Sequence, residues 1–98
     1  MRKLKKEFDG IGEVRGFHFR QIHEGDKFYI YEVTEPELGT QTRYEVVAKT
    51  YNQLYDCESY PGSKSFGVKG WSAATLDIAI QRCAIEFGID PEVLKKVL

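Results

Sequence analysis

The run Phe28-Tyr29-Ile30-Tyr31-Glu32-Val33 decides the fold. Its aromatic and β-branched residues read as a strand. Successive side chains of a strand point to opposite faces. Phe28 and Ile30 therefore face one way, and Tyr29, Tyr31 and Val33 the other. A strand that is apolar on both faces needs cover on both. Further on, Leu76, Ala79, Ile80, Cys83, Ala84 and Phe87 make one stripe at helical spacing. A chain that runs sheet first and helix last predicts an α+β fold. One helix covers one face of a sheet, so the cover of the other face is the functional question.

The segments around that run complete the sheet. Residues 13–23 read as a strand in which Phe17 and Phe19 share a face, while Val14 and Ile22 fall on the other parity. That break predicts a bulge, placed at Gly16. Glu24-Gly25-Asp26 is a short turn into the strand at 27–34. Beyond a loop at 35–42, residues 43–50 set Tyr44, Val46 and Ala48 against Arg43, Glu45 and Val47. Residues 54–60 alternate as a fourth strand carrying Tyr55 and Cys57, and Pro61-Gly62 turns the chain. Residues 66–69 read as a short fifth strand or an extended lead-in.

The main helix has Ser72 or Thr75 as its N-cap and Gly88 as its C-cap. Asp90-Pro91-Glu92 starts a second, short helix. Ile78 and Ile85 lie on the side of the main helix away from its stripe. Val93, Leu94, Val97 and Leu98 are expected to fold back over them, with a dimer contact as the competing cover. The expected architecture is α+β: an antiparallel four- to five-stranded meander sheet, one main helix on one face, and a short C-terminal helix.

The length of 98 residues fits a single domain, with residues 1–10 as a flexible basic arm. At 42% hydrophobic and 30% charged, the chain is too apolar for intrinsic disorder. Its net charge of −1 gives no strong field toward nucleic acid or membrane. The charge is unevenly spread: residues 1–20 balance at +3, residues 21–62 at −5 and residues 63–98 at +1. Arg2, Lys3, Lys5 and Lys6 form the basic cluster. Cys57 and Cys83 belong to no CxxC pair and read as reduced thiols, which points to a cytoplasmic setting. No apolar run approaches the length of a membrane span, and the start of the chain lacks the apolar stretch of a secretory signal.

Catalytic motifs are missing. Gly10-Ile11-Gly12 is too short for a dinucleotide fingerprint, and Gly67-Val68-Lys69-Gly70 lacks the Ser or Thr of a phosphate loop. His18 and His23 are five apart on one strand, so they point to opposite faces unless a bulge intervenes, and no metal is expected. Acidic Asp56 and Glu58 flank Cys57, which raises a thiol pKa rather than activating it. No cofactor is expected, and the chain does not read as an enzyme.

Twelve of the thirteen aromatic residues lie at or before Trp71. Tyrosine and tryptophan are enriched at the dry centres of protein interfaces. The expected binding residues are Phe28, Tyr29, Tyr31, Tyr44, Tyr55 and Trp71. The expected function is a non-enzymatic protein-interaction module, self-associating as a homodimer through the aromatic sheet face or binding another protein. The second reading is a single-stranded nucleic-acid binder that stacks bases on exposed aromatics and uses Arg2, Lys3, Lys5 and Lys6. The acidic middle segment weighs against it, because base stacking is normally accompanied by a basic groove.

Tyr44-Glu45-Val46, Ser59-Tyr60-Pro61, Ser65-Phe66-Gly67, Trp71 and Thr75-Leu76 together resemble a pattern in small uncharacterised proteins of bacterial phages and mobile elements. The resemblance spans residues 43–80 and implies a bacterial or phage cytosolic setting, with no catalytic residues. The layout is also similar to small ββββα modules that bind nucleic acid, an analogy of fold alone.

Overall fold

The computed structural model describes residues 3–10, 16–35, 42–54, 57, 58, 60 and 66–98, with the backbone alone for Asn52. The strands are β1 (Glu7–Asp9), β2 (His18–Glu24), β3 (Phe28–Thr34), β4 (Thr42–Ala48), β5 (Tyr51–Asn52), β6 (Cys57–Glu58) and β7 (Gly70–Ala73). The helices are α1 (Leu76–Phe87) and α2 (Pro91–Val97). Among the described residues, five strands make one antiparallel sheet in the order β1-β2-β3-β4-β7, and β5 and β6 pair separately. The α+β meander with one main and one short helix is as the sequence predicts. No helix among the described residues is long and apolar enough to cross a membrane.

The two apolar sets of β3 build two cores. Phe28 and Ile30 pair across the ladder with Ala48 and Val46, and with Ala73, Ala79, Ile80, Cys83 and Leu94 they form the core under the helices. Leu76, Trp71, Tyr44 and Phe87 pack at its margin, and α1 lies on β4 and β7. The helix starts where Thr75 Oγ1 accepts from the Ile78 N–H at 3.2 Å. It stops at Gly88, whose φ of 67° is left-handed and whose N–H donates to the Ala84 carbonyl.

Tyr29, Tyr31 and Val33 build the second core with Phe19 and Val47. This face, expected to be open for a partner, is closed by the chain itself. Leu4, Phe8, Phe17 and Tyr60 pack over it, and Tyr31 is 0% exposed. The cover comes from the N-terminal segment, where the sequence reading expected a flexible arm. Residues 7–9 instead pair with β2, and the Phe8 ring stacks on Phe19 at 4.8 Å. Burying that aromatic pair is what holds so short a strand.

Four further expectations shift. The bulge in β2 falls between Gln21 and His23, not at Gly16, which sits in a turn with φ of 93°. The bulge brings His23 opposite Ile30, on the face under the helices. Of the segment expected as a fourth strand, the described part forms only β6, outside the main sheet. The fifth place belongs to β7, which begins at Gly70 rather than in residues 66–69. There Trp71 sits opposite Val46 and Ala73 opposite Tyr44, so β7 extends the core that α1 covers. Finally, α2 does not cover Ile78 and Ile85, which remain 51% and 70% exposed. Its Leu94 is 2% exposed and joins the core beneath the helices instead.

Candidate functional site

Of the residues expected to bind, Tyr29 and Tyr31 are buried on the closed face and offer no contact surface in this conformation, while Phe28, also buried, lies at the bottom of a groove on the helix side. Tyr44 and Trp71 are half-buried at the margin of the core under the helices. Tyr55 and Arg2 lie outside the described residues. Lys3, Lys5 and Lys6 are exposed, but Lys3 Nζ pairs with Glu24 Oε2 at 2.8 Å. The carbonyls of Lys5 and Lys6 accept from the Tyr31 hydroxyl and the Gln21 N–H. The basic segment is thus folded along the sheet.

The closed aromatic face also holds two carboxylates. Glu58 accepts hydrogen bonds from the Tyr29 hydroxyl and, at 3.1 Å, from the Leu4 N–H. Glu45 accepts from the Tyr60 hydroxyl at 3.1 Å, with an Arg43 nitrogen 4.0 Å away. Arg43 in turn lies over the Phe17 ring, 4.6 Å from its centre. Burial raises the Glu45 pKa against the pull of Arg43 and Tyr60. It raises those of Tyr29, Tyr31 and Tyr60 as well. Apart from Arg43 Nε, which is buried without a hydrogen-bond partner, these groups are enclosed and paired, and they hold the layer in register.

An accessible concavity lies on the other side. The β2–β3 turn and α2 face each other across an apolar groove of about 390 Å³. Phe28, Phe87 and Leu94 form its base, and Ile89, Val93 and Val97 make one wall at i, i+4 and i+8. Phe87 is fixed from two sides, stacked on Phe28 at 4.8 Å and edge-on to Trp71 at 5.8 Å. The facing wall is the turn from His23 to Lys27. Gly25 allows that turn to close: its N–H donates to the Phe28 carbonyl at 2.8 Å, and a Cβ there would meet the Phe28 ring at 2.6 Å.

Groove electrostatics are mixed at the rim and neutral at depth. Glu24 is bridged by Lys3 and Lys49, whose hydrogen bonds hold its carboxyl down at about 2. His23, tilted against Phe28 at 5.7 Å, has its pKa lowered by burial and is neutral at neutral pH. No group of three metal-ligating side chains occurs among the described residues. The arrangement offers an apolar slot with an aromatic base, an aliphatic wall and one neutral imidazole, suited to receiving a large apolar side chain.

Sequence reasoning singled out Val93, Leu94 and Val97 but assigned them to Ile78 and Ile85. The signal for the groove was the Ile89, Val93, Val97 spacing at i, i+4 and i+8, with Leu94 three residues before Val97 and so beside it on the helix. Compared with known proteins, the chain matches no family model, no curated protein and no solved structure.

Proposed function

We propose that this α+β domain is a non-enzymatic protein-interaction module that docks its partner through the groove between α2 and the β2–β3 turn. The observation that carries this is the exposure of Val93 and Val97 beside a preformed aromatic base. Scattered apolar residues on a surface need no explanation, but a contiguous set lining a concavity marks a recognition site. The occupant is a protein segment that inserts one large apolar side chain onto Phe87 and Leu94. His23 offers a hydrogen bond to its backbone. The free Cys57 and Cys83 thiols support a cytoplasmic, reducing setting, and Cys83, buried beneath the helices, has its pKa pushed up to about 12. The nucleic-acid reading is weaker, because Phe28, Tyr29 and Tyr31 are buried and Lys3 is engaged by Glu24.

Peptides selected against the protein from a random display library test this reading. The expected consensus is a single Leu, Phe or Trp anchor, with binding reduced at least about tenfold by Val93→Asp or Val97→Asp, as for a central interface residue. Both side chains are exposed, so neither change should alter the melt. Selected peptides indifferent to both substitutions would overturn the assignment of the groove.

A further inference from the structure

The N-terminal strand is held by features that would recognise the same kind of segment in another chain. The first is backbone pairing. Residue partners run Glu7 with Arg20, Phe8 with Phe19 and Asp9 with His18. The Gln21 N–H donates to the Lys6 carbonyl at 2.6 Å, and the Gly10 N–H to the Phe17 carbonyl at 2.8 Å. These bonds require only an extended chain.

The second is an aromatic socket. Phe8 stacks nearly parallel on Phe19, and it meets Tyr31 and Tyr60 edge-on at 5.4 and 5.7 Å. The third is a charge clamp. His18 Nε2 lies 2.7 Å from Glu7 Oε1, and His18 Nδ1 lies 2.8 Å from Asp9 Oδ1. A carboxylate accepts and does not donate, so both contacts are hydrogen bonds at once only when the ring carries a proton on each nitrogen. Across from His18 on β3 stands uncharged Thr34, while Glu32 is engaged by Arg20 at 3.0 Å. Among the described residues the carboxylates facing the ring are thus those of β1. Their hydrogen bonds raise the His18 pKa.

We propose that the β2 edge and the aromatic socket behind it form an acceptor site for an extended acidic–aromatic–acidic segment of a partner protein, with residues 3–10 as its exchangeable internal occupant. This site is separate from the helix-side groove and does not depend on it. Complementarity sets the partner's pattern: an aromatic ring for Phe19, with a carboxylate on each side to bracket His18. Exchange is accessible because β1 has three residues, only half-buries Phe8 and relies partly on exposed ion pairs. Such segments open locally at far lower cost than the whole fold. An internal strand competes at an effective concentration on the order of millimolar, so a foreign segment binds measurably once the internal one is weakened.

The probe is a fluorescent peptide of residues 3–10, titrated by anisotropy into the full chain carrying Phe8→Ala. It should bind this variant at least about tenfold more tightly than the unaltered chain, since the internal competitor loses its anchor. Replacing the peptide's Glu and Asp by Gln and Asn should weaken binding about fivefold below pH 6, as for a pair of exposed charge contacts. That discrimination should vanish well above the His18 pKa and in the His18→Gln background. No binding by a Phe8→Ala chain that keeps slow amide exchange in β3 and β4 would overturn the proposal. So would binding indifferent to the acidic residues, or dimers formed by strand exchange that take up no peptide. Should Phe8→Ala fail to fold, Glu7→Gln with Asp9→Asn alters exposed side chains only. It should speed β1 amide exchange by roughly three- to fivefold below pH 6 and leave it unchanged at high pH; equal rates throughout would reject the clamp.

Discussion

Glu45 shows how much a single residue on the closed face departs from its exposed counterpart. It sits opposite Tyr31 on β4, 3% exposed, and burial is the main cause of its raised pKa. A raised acid pKa means that the folded chain holds the proton more tightly than the unfolded one. Stability is then full below the ordinary value of 4.5 and falls as pH rises through the folded value. Glu45→Gln keeps an acceptor for the Tyr60 hydroxyl and removes the buried charge. The variant should melt at a higher temperature than the parent at pH 7, with the two curves converging below about pH 4. A parent that melts higher at pH 7 would show that Arg43 more than offsets the burial. The alternation of residues 43–50 set Glu45 opposite in parity to Tyr44 and Val46, and the register with β3 places it on the face of Tyr31. It was invisible that the face would be closed, because residue parity says which side a residue takes and not what lies above it.

At the scale of elements, α2 separates two roles within seven residues. Leu94 completes the core, while Val93 and Val97 face the groove and solvent. Leu94→Ala should therefore cost about 2–4 kcal/mol in denaturant melts, in the range of buried Leu truncations. Loss near zero would mean that α2 is only loosely docked. The helices were legible because caps and stripes are local: Thr75, Gly88 and the Asp90-Pro91 pair all act as their chemistry predicts. Which face α2 would bury was not local. Ile78 and Ile85 appeared to call for a cover, yet the unfilled space next to Phe28 and Phe87 took Leu94 instead. The pairing of β1 was hidden for a related reason. One Phe amid charged residues has no period, and the waiting rings of Phe19, Tyr31 and Tyr60, distant in sequence, give it its partners.

Over the whole molecule, one sheet carries a helical layer on one face and, on the other, a layer of side chains to which Leu4, Phe8, Phe17 and Tyr60 contribute. Two charge contacts fasten the second layer, and they respond to pH in opposite directions. The depressed Glu24 carboxyl, bound to Lys3, contributes stability above its ordinary value of 4.5 and loses it as pH falls toward about 2. The raised His18 ring contributes fully below its ordinary value of 6.5 and loses it as pH climbs through the folded value. The segment should hence be held best between about pH 4.5 and 6.5. Amide exchange of Phe8 and Asp9, corrected for its intrinsic pH dependence, should show a minimum in opening there. A monotonic trend would mean that the two contacts do not share control of the layer.

The distribution of chromophores between the layers gives each its own optical signature. Trp71, the single tryptophan, stands on the helix side against Phe87, whereas Tyr29, Tyr31 and Tyr60 lie on the opposite side with hydroxyls that resist ionisation. Indole emission therefore reports on Phe87 at the groove base, and the share of the tyrosinate absorbance that is lost on replacing Tyr29, Tyr31 and Tyr60 by Phe reports on the release of the N-terminal segment. Occupation of one side can be followed in solution without a label while the state of the other is read in the same cuvette.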